Sequence, residues 1–314
     1  MDKKPIQKTY KTFCPKLWDE VFINPSGEIF SCCHDKPGIL GNIYKTDLHT
    51  VWTKNNKLKV YRLLSLKNRL FCFLMCNLLE PNQTQAIKNL PYPKRIKIEY
   101  GQLCNLRCIM CRQDHRSKTM LNNEILKENI QWSRVQEITL QGGEILCMKN
   151  AKEFYLWLTK TLRKKVDIIT NGSLINDEWA EHLIRGSNWI QLSINAATKN
   201  TYELISQGMY FNKVIDTIKK LVHLNKQNFS KTKIKLHYTI IPENFHEIPD
   251  AILLADALGC DEISFSYDPS LEDFLLKNPL LKVRIQKKIN KLINEGQLDL
   301  QVMLGRFIHL GIVI

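Results

Sequence analysis

The sequence predicts an α/β protein built on a parallel sheet, with a small Cys-rich α+β domain ahead of it. Three observations carry that expectation. From residue 93 onward, short β-rich runs alternate with amphipathic helical stretches; five cysteines fall before residue 80; and a proline-marked segment separates the two regions. With 314 residues, 44% hydrophobic and 24% charged, the chain can build one large or two medium domains with real cores, which excludes disorder, collagen or coiled coil as a description of the whole.

Taken in chain order, residues 21–23, the turn Asn24-Pro25-Ser26-Gly27 and residues 28–31 predict a β-hairpin, and a helical stretch follows around 47–65. This region has little apolar sequence of its own, so a metal cross-linking it would help it fold. Residues 81–95, PNQTQAIKNLPYPKR, contain Pro81, Pro91 and Pro93, which deny regular structure and mark a linker. A boundary near residue 92 gives domains 1–92 and 93–314.

Beyond it, strands are expected at 95–100, 137–140, 166–170, 189–194, 233–240 and 262–267. Helices are expected between them, for example 150–164, where Phe154, Leu158 and Leu162 recur every four residues, and 211–225 with Val214, Ile218, Leu221 and Val222. Six successive β-then-α units imply a parallel sheet with right-handed crossovers, doubly wound or curled toward a barrel. A helix at 280–295, a strand-like run at 298–304 and the apolar end FIHLGIVI follow. An exposed tail of that kind is unfavourable, so it is expected either to tuck against the open edge of the barrel or to be the stump of a longer chain.

The net charge of +14 would by itself suggest an anionic partner, but it is carried by 34 Lys against 11 Arg spread along the chain, with no Arg-rich stripe interleaved with aromatics. Nucleic-acid binding is therefore not expected, and the aromatics of 150–164 (Phe154, Tyr155, Trp157) are expected to pack helix against sheet. The start MDKKPIQKTYK has no apolar core and no stretch reaches the length of a membrane helix, so a cytoplasmic protein is expected. In a reducing cytosol, clustered cysteines are metal ligands or redox groups more often than disulfides.

The densest cluster lies in RIKIEYGQLCNLRCIMC, residues 95–111: a strand, a short loop, then Cys104-x3-Cys108-x2-Cys111. Three thiolates at this spacing hold three corners of an iron–sulfur cube and leave one iron open. Zinc is the competing metal, with His115 as a fourth donor. No other histidine pattern of HxxxH or HExxH type occurs, and Cys147 and Cys260, isolated beside apolar neighbours, are expected to be small buried core residues.

Further motifs follow at the ends of successive expected strands: Gln141-Gly142-Gly143-Glu144, Thr170-Asn171-Gly172, and Ser193-Ile194-Asn195-Ala196-Ala197-Thr198 leading into residues 199–213. With CNLRCIMC they resemble, over roughly residues 94–267, the radical S-adenosylmethionine (radical SAM) enzyme family. The resemblance implies a (β/α)6 partial TIM-type barrel whose [4Fe–4S] cluster is held by Cys104, Cys108 and Cys111, with S-adenosylmethionine chelating the fourth iron through its amino and carboxylate groups. It places Met110 against the adenine, the GGE element at the methionine amino group, and Gly142, Gly143, Glu144, Asn171 and Ser193 among the cofactor-binding positions. Glycines there let backbone approach a ligand closely. Ile145 stands where the family often has Pro, Asn195 where Asp is frequent, and Ser206 where relatives often carry an Arg that pairs with the cofactor carboxylate, a contact worth ~1–3 kcal/mol.

The N-terminal cysteines form a second set: Cys14, Gly27, Cys32, and later Cys72-x3-Cys76, with Cys33 an alternative to Cys32. Four thiolates ligate one iron–sulfur cluster or one zinc. With GILGNIYKTDLHTVW (38–52), the arrangement resembles the SPASM and twitch domains that accompany many radical SAM enzymes, here preceding the core, and implies one auxiliary [4Fe–4S] cluster.

The resemblance implies an enzyme that accepts an electron from a reductant such as flavodoxin or ferredoxin, cleaves S-adenosylmethionine to a 5′-deoxyadenosyl radical, and abstracts hydrogen from a substrate. A peptide or protein side chain is the first expectation, a small polar metabolite undergoing oxidation the second, and a non-catalytic zinc protein the reading from a different class.

Overall fold

In a computed structural model of the chain, residues 12–32, 38–66, 80–81, 90–295 and 298–303 are described. The chain divides into two compact units, one taking the residues through Ile98 together with Leu121–Ile138, the other taking Glu99–Met120 and the residues from Thr139 on. Residues 121–138 belong with the first unit.

In the first unit, β1 (Thr12–Phe13) is followed by α1 (Lys16–Asp19), β2 (Glu20–Ile23), β3 (Glu28–Phe30), β4 (Gly41–Asn42), α2 (Leu48–Lys54), α3 (Asn56–Leu66), β5 (Glu80–Pro81), β6 (Arg95–Glu99) and α4 (Asn123–Asn129). The expected hairpin is present, with Phe22 opposite Phe30 and Ile23 opposite Ile29 in antiparallel register. Its turn is built by Asn24, whose Oδ1 accepts the N–H groups of Ser26 (3.1 Å) and Glu28 (2.9 Å). Gly27 follows at φ +77°, a conformation that suits only glycine well; a Cβ there would also meet the Tyr44 ring at 2.3 Å. Strands run in the order β6-β2-β3-β4, with β2 and β6 parallel. Val21, Ile23, Ile29, Leu48, Trp52 and Leu58 make a small buried core from this sheet and the two helices. Asp47 caps α2 by accepting the Thr50 N–H at 3.0 Å, which holds its carboxyl below the usual carboxylate range.

In the second unit come β7 (Glu137–Gln141), α5 (Lys149–Leu156), β8 (Val166–Thr170), α6 (Asp177–Gly186), β9 (Trp189–Ser193), α7 (Lys199–Ser206), α8 (Phe211–Gln227), β10 (Lys233–Ile240), α9 (Ile248–Ala257), β11 (Glu262–Tyr267), α10 (Ser270–Lys277), α11 (Pro279–Glu295) and β12 (Gln301–Met303). The strands lie in the order β7-β8-β9-β10-β11-β12, and the pairs from β8 to β12 are parallel. All six strands expected from 95 to 267 are present, with ends agreeing to within a residue.

One expected helix differs, and the segment after the Ser193–Thr198 motif is interrupted. The 150–164 stretch is α-helical only to Leu156, then widens into a π-helical turn at Trp157–Thr161, with Leu162 N–H bonding back to Trp157 O at 3.2 Å. The stretch 199–213 is broken at Gln207, which takes φ +51° and ends α7 before α8 begins at Phe211. Phe154 and Tyr155 are buried, consistent with a packing role. The run at 298–304 supplies β12, which extends the sheet beside β11; FIHLGIVI lies outside the described residues. Among the described residues, no helix is long and apolar enough to cross a membrane.

The sheet's burial pattern positions the site. A strand covered on both faces reads as a continuous apolar run, but β10 alternates: Ile234, Leu236, Tyr238 and Ile240 are buried, while Lys235, His237 and Thr239 are not fully so. β9 and β11 repeat the pattern with Gln191 and Ser193, and with Ser264 and Ser266. Each buried aliphatic side chain contributes roughly 1.5–3 kcal/mol, leaving the opposite, polar face free to carry chemistry.

Candidate functional site

The carboxyl ends of β7, β8 and β9 open onto one cavity of ≈ 740 Å³, counted to its mouth. Cys104, Cys108 and Cys111 line it, together with Gly142 and Gly143 after β7, Asn171 after β8, and Ser193 and Asn195 at the end of β9.

The cysteine loop is held by backbone bonds that the sequence does not advertise. Cys104 N–H bonds to His115 O at 3.2 Å and Cys111 N–H to Cys108 O at 2.9 Å, closing the loop on itself. Arg107 N–H and Ile109 N–H reach Ser206 O (3.1 Å) and Ile205 O (2.9 Å). Those carbonyls terminate α7 and would otherwise lack partners, so the helix end and the loop satisfy each other. Gly142 and Gly143 are required for a related reason. A Cβ on Gly143 would meet Gln102 O at 2.2 Å and Leu103 O at 2.4 Å, and one on Gly142 would meet Gly101 O at 2.4 Å. The close approach they permit is to the backbone leading into Cys104, sealed by Gly143 N–H to Gly101 O (2.9 Å) and Glu144 N–H to Leu103 O (2.8 Å), as well as to the cavity they line.

The Glu144 side chain is turned away from the cavity that Gly142 and Gly143 line. It is fully buried and is not among the cavity-lining residues; its carboxylate accepts the Thr170 hydroxyl (2.8 and 2.9 Å), Asn171 N–H (2.7 Å) and Leu146 N–H (3.1 Å). Burial pushes its carboxyl above the usual carboxylate range, and the donors from Asn171, Leu146 and Thr170 pull it partly back. Met110 is half-buried and likewise is not among the lining residues.

Asn171 is tied to the cysteine loop: its Nδ2 donates to Asn105 Oδ1 at 3.0 Å and to Cys104 Sγ at 3.8 Å, and its Oδ1 accepts from Ser173 N (2.9 Å) and Oγ (2.6 Å). Leu106 N–H adds a second donor to Cys104 Sγ at 3.4 Å. Burial pushes the Cys104 thiol up and the Cys108 thiol up to about 12. Such thiols stay protonated in an empty site and are deprotonated by a metal. Cys147, expected in the core, is instead half-exposed beside this network, its thiol 3.7 Å from Asn105 Oδ1, because the 3-10 turn Ile145–Cys147 points Ile145 and Leu146 inward in its place. Cys260 is buried as expected. Tyr202, Leu106, Ile205 and Gln113 also line the cavity and carry no motif that would have singled them out.

The donor set fits an iron–sulfur cluster. Among the described residues no three His, Cys, Asp or Glu side chains converge closely enough for a single metal ion. Three thiolates spread around one cavity suit a cluster, in which each takes a separate iron. Of the N-terminal set, Cys14 is half-buried after β1, its N–H bonding to Ser65 Oγ at 2.8 Å, and Cys32 is buried after β3. Cys33, Cys72 and Cys76 lie outside the described residues.

Fold and cavity together bring three cysteines and the loops at the ends of three successive parallel-sheet strands around one cavity. The chain belongs to the radical SAM superfamily, whose sequence profile matches residues 98–255, and the SPASM iron–sulfur cluster-binding domain matches residues 14–77. Its cofactors are accordingly a [4Fe–4S] cluster and S-adenosylmethionine, with auxiliary iron–sulfur binding in the N-terminal region. Similar proteins include an uncharacterized protein of Methanocaldococcus jannaschii, 32% identical over 39% of this chain and 41% of that protein. A probable GTP 3′,8-cyclase of Saccharolobus islandicus is 25% identical over 54% of each. The chain thus spans about half the length of the relatives it matches. Among solved structures, SuiB of Streptococcus suis bound to precursor peptide SuiA aligns with a TM-score of 0.55 at 12% identity, covering 94% of this chain and 73% of that one. That likeness shows the fold, a (β/α) partial barrel of TIM type.

Proposed function

We propose that this radical SAM enzyme abstracts a hydrogen atom from a peptide or protein side chain, with Cys104, Cys108 and Cys111 holding the core cluster and Gly142, Gly143, Asn171 and Ser193 around the cofactor. The observation that carries the site assignment is the convergence of those three cysteines on one cavity with the strand-end positions of β7, β8 and β9. When bound, the cluster and S-adenosylmethionine supply reductive cleavage to a 5′-deoxyadenosyl radical. The chain's own residues hold the loop, orient the ligand and exclude water: α7 fixes the loop from one side, Gly142–Gly143 from the other, and Leu106, Ile169 and Ile205 make the wall apolar. Glu144 joins the ends of β7 and β8 behind the cavity.

Support for a peptide comes from the SuiB likeness, which spans nearly all of this chain and includes the peptide-bound form. The similarity to GTP 3′,8-cyclases favours a second reading, a small nucleotide or other polar metabolite. Cys14, Cys32, Cys72 and Cys76 are proposed to ligate one auxiliary cluster, and a flavodoxin or ferredoxin to supply the electron.

The test is anaerobic reconstitution with iron and sulfide followed by dithionite and S-adenosylmethionine. Release of 5′-deoxyadenosine that is lost on changing Cys104, Cys108 and Cys111 to Ala supports the enzyme; a colourless zinc protein refutes it. Transfer of deuterium into 5′-deoxyadenosine from a labelled peptide, and not from labelled GTP, decides between the substrate classes.

A further inference from the structure

The cysteine loop has two faces. Cys104, Leu106, Cys108, Cys111, Gln113 and His115 line the cavity, whereas Arg107, Ile109, Arg112, Arg116 and Lys118 do not line it and are exposed. The fold of the loop puts an arginine beside each cysteine: Arg107 precedes Cys108, Arg112 follows Cys111, and Arg116 follows His115, whose carbonyl accepts the Cys104 N–H at 3.2 Å. Three of the chain's 11 arginines thus fall within ten residues, a concentration that a general lysine bias does not produce, and Asp114 is the one acid from 104 to 118. Among the described residues, only Arg112 of the four cations has an ion-pair partner, Asp268 at 3.5 Å, and its side chain is 79% exposed, which makes that pair a weak one. Apolar groups accompany the cations. Ile109 is 44% exposed, and Met209, 84% exposed, follows Gly208, where a Cβ would meet Leu106 of the loop at 2.7 Å.

Exposed large apolar side chains flanked by charge mark interaction sites. Two facts define the occupant. Charge complementarity makes it acidic, and it has no need to enter the cavity, because these side chains do not line it. What crosses a loop without touching the ligand behind it is an electron, whose transfer between proteins falls steeply with distance, and the thiols stand on the loop's other face. We infer that the outer face of residues 104–118 docks a small acidic electron-carrier protein that presents carboxylates around its own redox group. This rests on the reading that Cys104, Cys108 and Cys111 hold the core cluster. In the step served, one electron leaves the reduced carrier, which is oxidised, and enters the cluster, which is reduced; no bond is made or broken. Encounters of this kind use small interfaces and depend on electrostatic steering, which suits a patch of four cations and two apolar groups.

The experiment follows reduction of the reconstituted cluster by stopped-flow absorbance with two donors: a reduced acidic flavodoxin, and reduced methyl viologen, a small cation that needs no docking face. Arg116→Glu/Lys118→Glu reverses two cations on the loop, and Lys287→Glu/Lys288→Glu makes the same change in net charge at exposed positions of α11. The loop pair is expected to slow reduction by flavodoxin about ten- to hundredfold at low ionic strength, a loss that shrinks as salt screens the charges. Reduction by viologen should hold or rise, with iron content unchanged. The α11 pair should stay within about twofold of wild type. In the cluster-free protein, carbodiimide coupling to flavodoxin carboxylates is expected at Lys118 and not at Lys287. Equal slowing by both pairs, which would reflect net charge alone, an unchanged rate in the loop pair, coupling away from Lys118, or a wild type that viologen reduces and flavodoxin does not, overturns the inference. A cluster that neither donor reduces, or an absorbance change that is the same after Cys104, Cys108 and Cys111 are changed to Ala, overturns the reading of the cavity itself.

Discussion

Thr170 Oγ1 donates to both carboxylate oxygens of Glu144, at 2.8 and 2.9 Å, so the end of β8 is fastened to the end of β7 by a fully buried acid. Asn171 N–H adds a bond of 2.7 Å to the same carboxylate. The GGE and TNG segments are therefore one structural unit. The Glu sets where Asn171 stands, and Asn171 reaches Cys104.

This arrangement predicts both stability and its pH dependence. Glu144→Ala strands the Thr170 hydroxyl and two backbone N–H groups and is expected to cost about 3–5 kcal/mol. Burial holds the Glu144 carboxyl above its ordinary value of 4.5. The folded protein then binds that proton more tightly than the unfolded chain, so this group's contribution to stability falls as pH rises from about 4.5 through the raised value and levels off above it. Glu144→Gln, which cannot titrate, removes that component. Melting temperature of cluster-free protein against pH is the measurement; an unchanged slope in the Gln variant would show that the titrating group lies elsewhere.

Asn171 predicts a redox effect. Its Nδ2 is one of two N–H donors within reach of Cys104 Sγ, with Leu106 N–H the other, and donors to a ligating sulfur favour the more negative, reduced state. Asn171→Asp keeps the acceptor that Ser173 uses and replaces the donor with negative charge. The core cluster's midpoint potential is expected to fall by about 60–120 mV, one to two decades in a one-electron equilibrium at 59 mV each. Potentiometric titration followed by electron paramagnetic resonance measures it, and an unmoved potential removes Asn171 from the tuning.

Much of the fold was legible because strands and helices announce themselves locally. Six β-rich runs between amphipathic stretches give six strands, and Asn24 to Gly27 gives a turn. What stayed hidden depended on direction or on distance in sequence. A Glu closing a strand carries no sign of whether it faces a ligand or, like Glu144, the protein behind it. Two adjacent glycines signal close approach, but not that the partner is the backbone of residues 101–103. Tyr202 has an ordinary helical position, and its place on the cavity wall arises only when α7 meets the cysteine loop. Residues 121–138 join the first unit through long-range bonds such as Asn129 Nδ2 to Ile43 O at 2.7 Å, which leave no local pattern.

The glycine geometry separates two kinds of cost. Gly143→Ala places a Cβ 2.2 Å from the backbone oxygen of Gln102, which cannot yield without moving the segment that carries Cys104. Overpacking of that kind is expected to cost about 1–3 kcal/mol, and iron retention by the core site should fall with it. Gly259→Ala strains a φ of +73° but meets nothing nearer than Val222 at 3.4 Å. It is expected to cost about 1–2 kcal/mol and to leave iron content unchanged. Equal iron loss in both variants would mean that general destabilisation, and not the contact with residues 102–103, controls retention.

In the N-terminal unit, Arg62 offers a test of how Cys14 is positioned. Its guanidinium lies 4.3 Å from the Trp52 ring centroid and 5.5 Å from that of Trp18, and its Nε donates to Leu17 O at 2.8 Å. Burial lowers its pKa to about 10, still well above neutrality, so the cation persists. One planar group thus links α3 to α1 and α2. Ser65, close by on α3, accepts the Cys14 N–H, and α1 begins just after Cys14. Arg62→Lys keeps the charge but loses the flat stacking surface and the fixed donor fork, for an expected cost of about 1–2 kcal/mol. Arg62→Ala removes the clamp entirely, and the N-terminal cluster should be lost before the core one, since a small domain depends on its metal as the metal depends on the fold. Iron per chain would then fall by roughly half while the core cluster's spectroscopic signal is retained. Loss of both signals together would mean that Arg62 supports the chain at large, and retention of both would show that Cys14 is held without it.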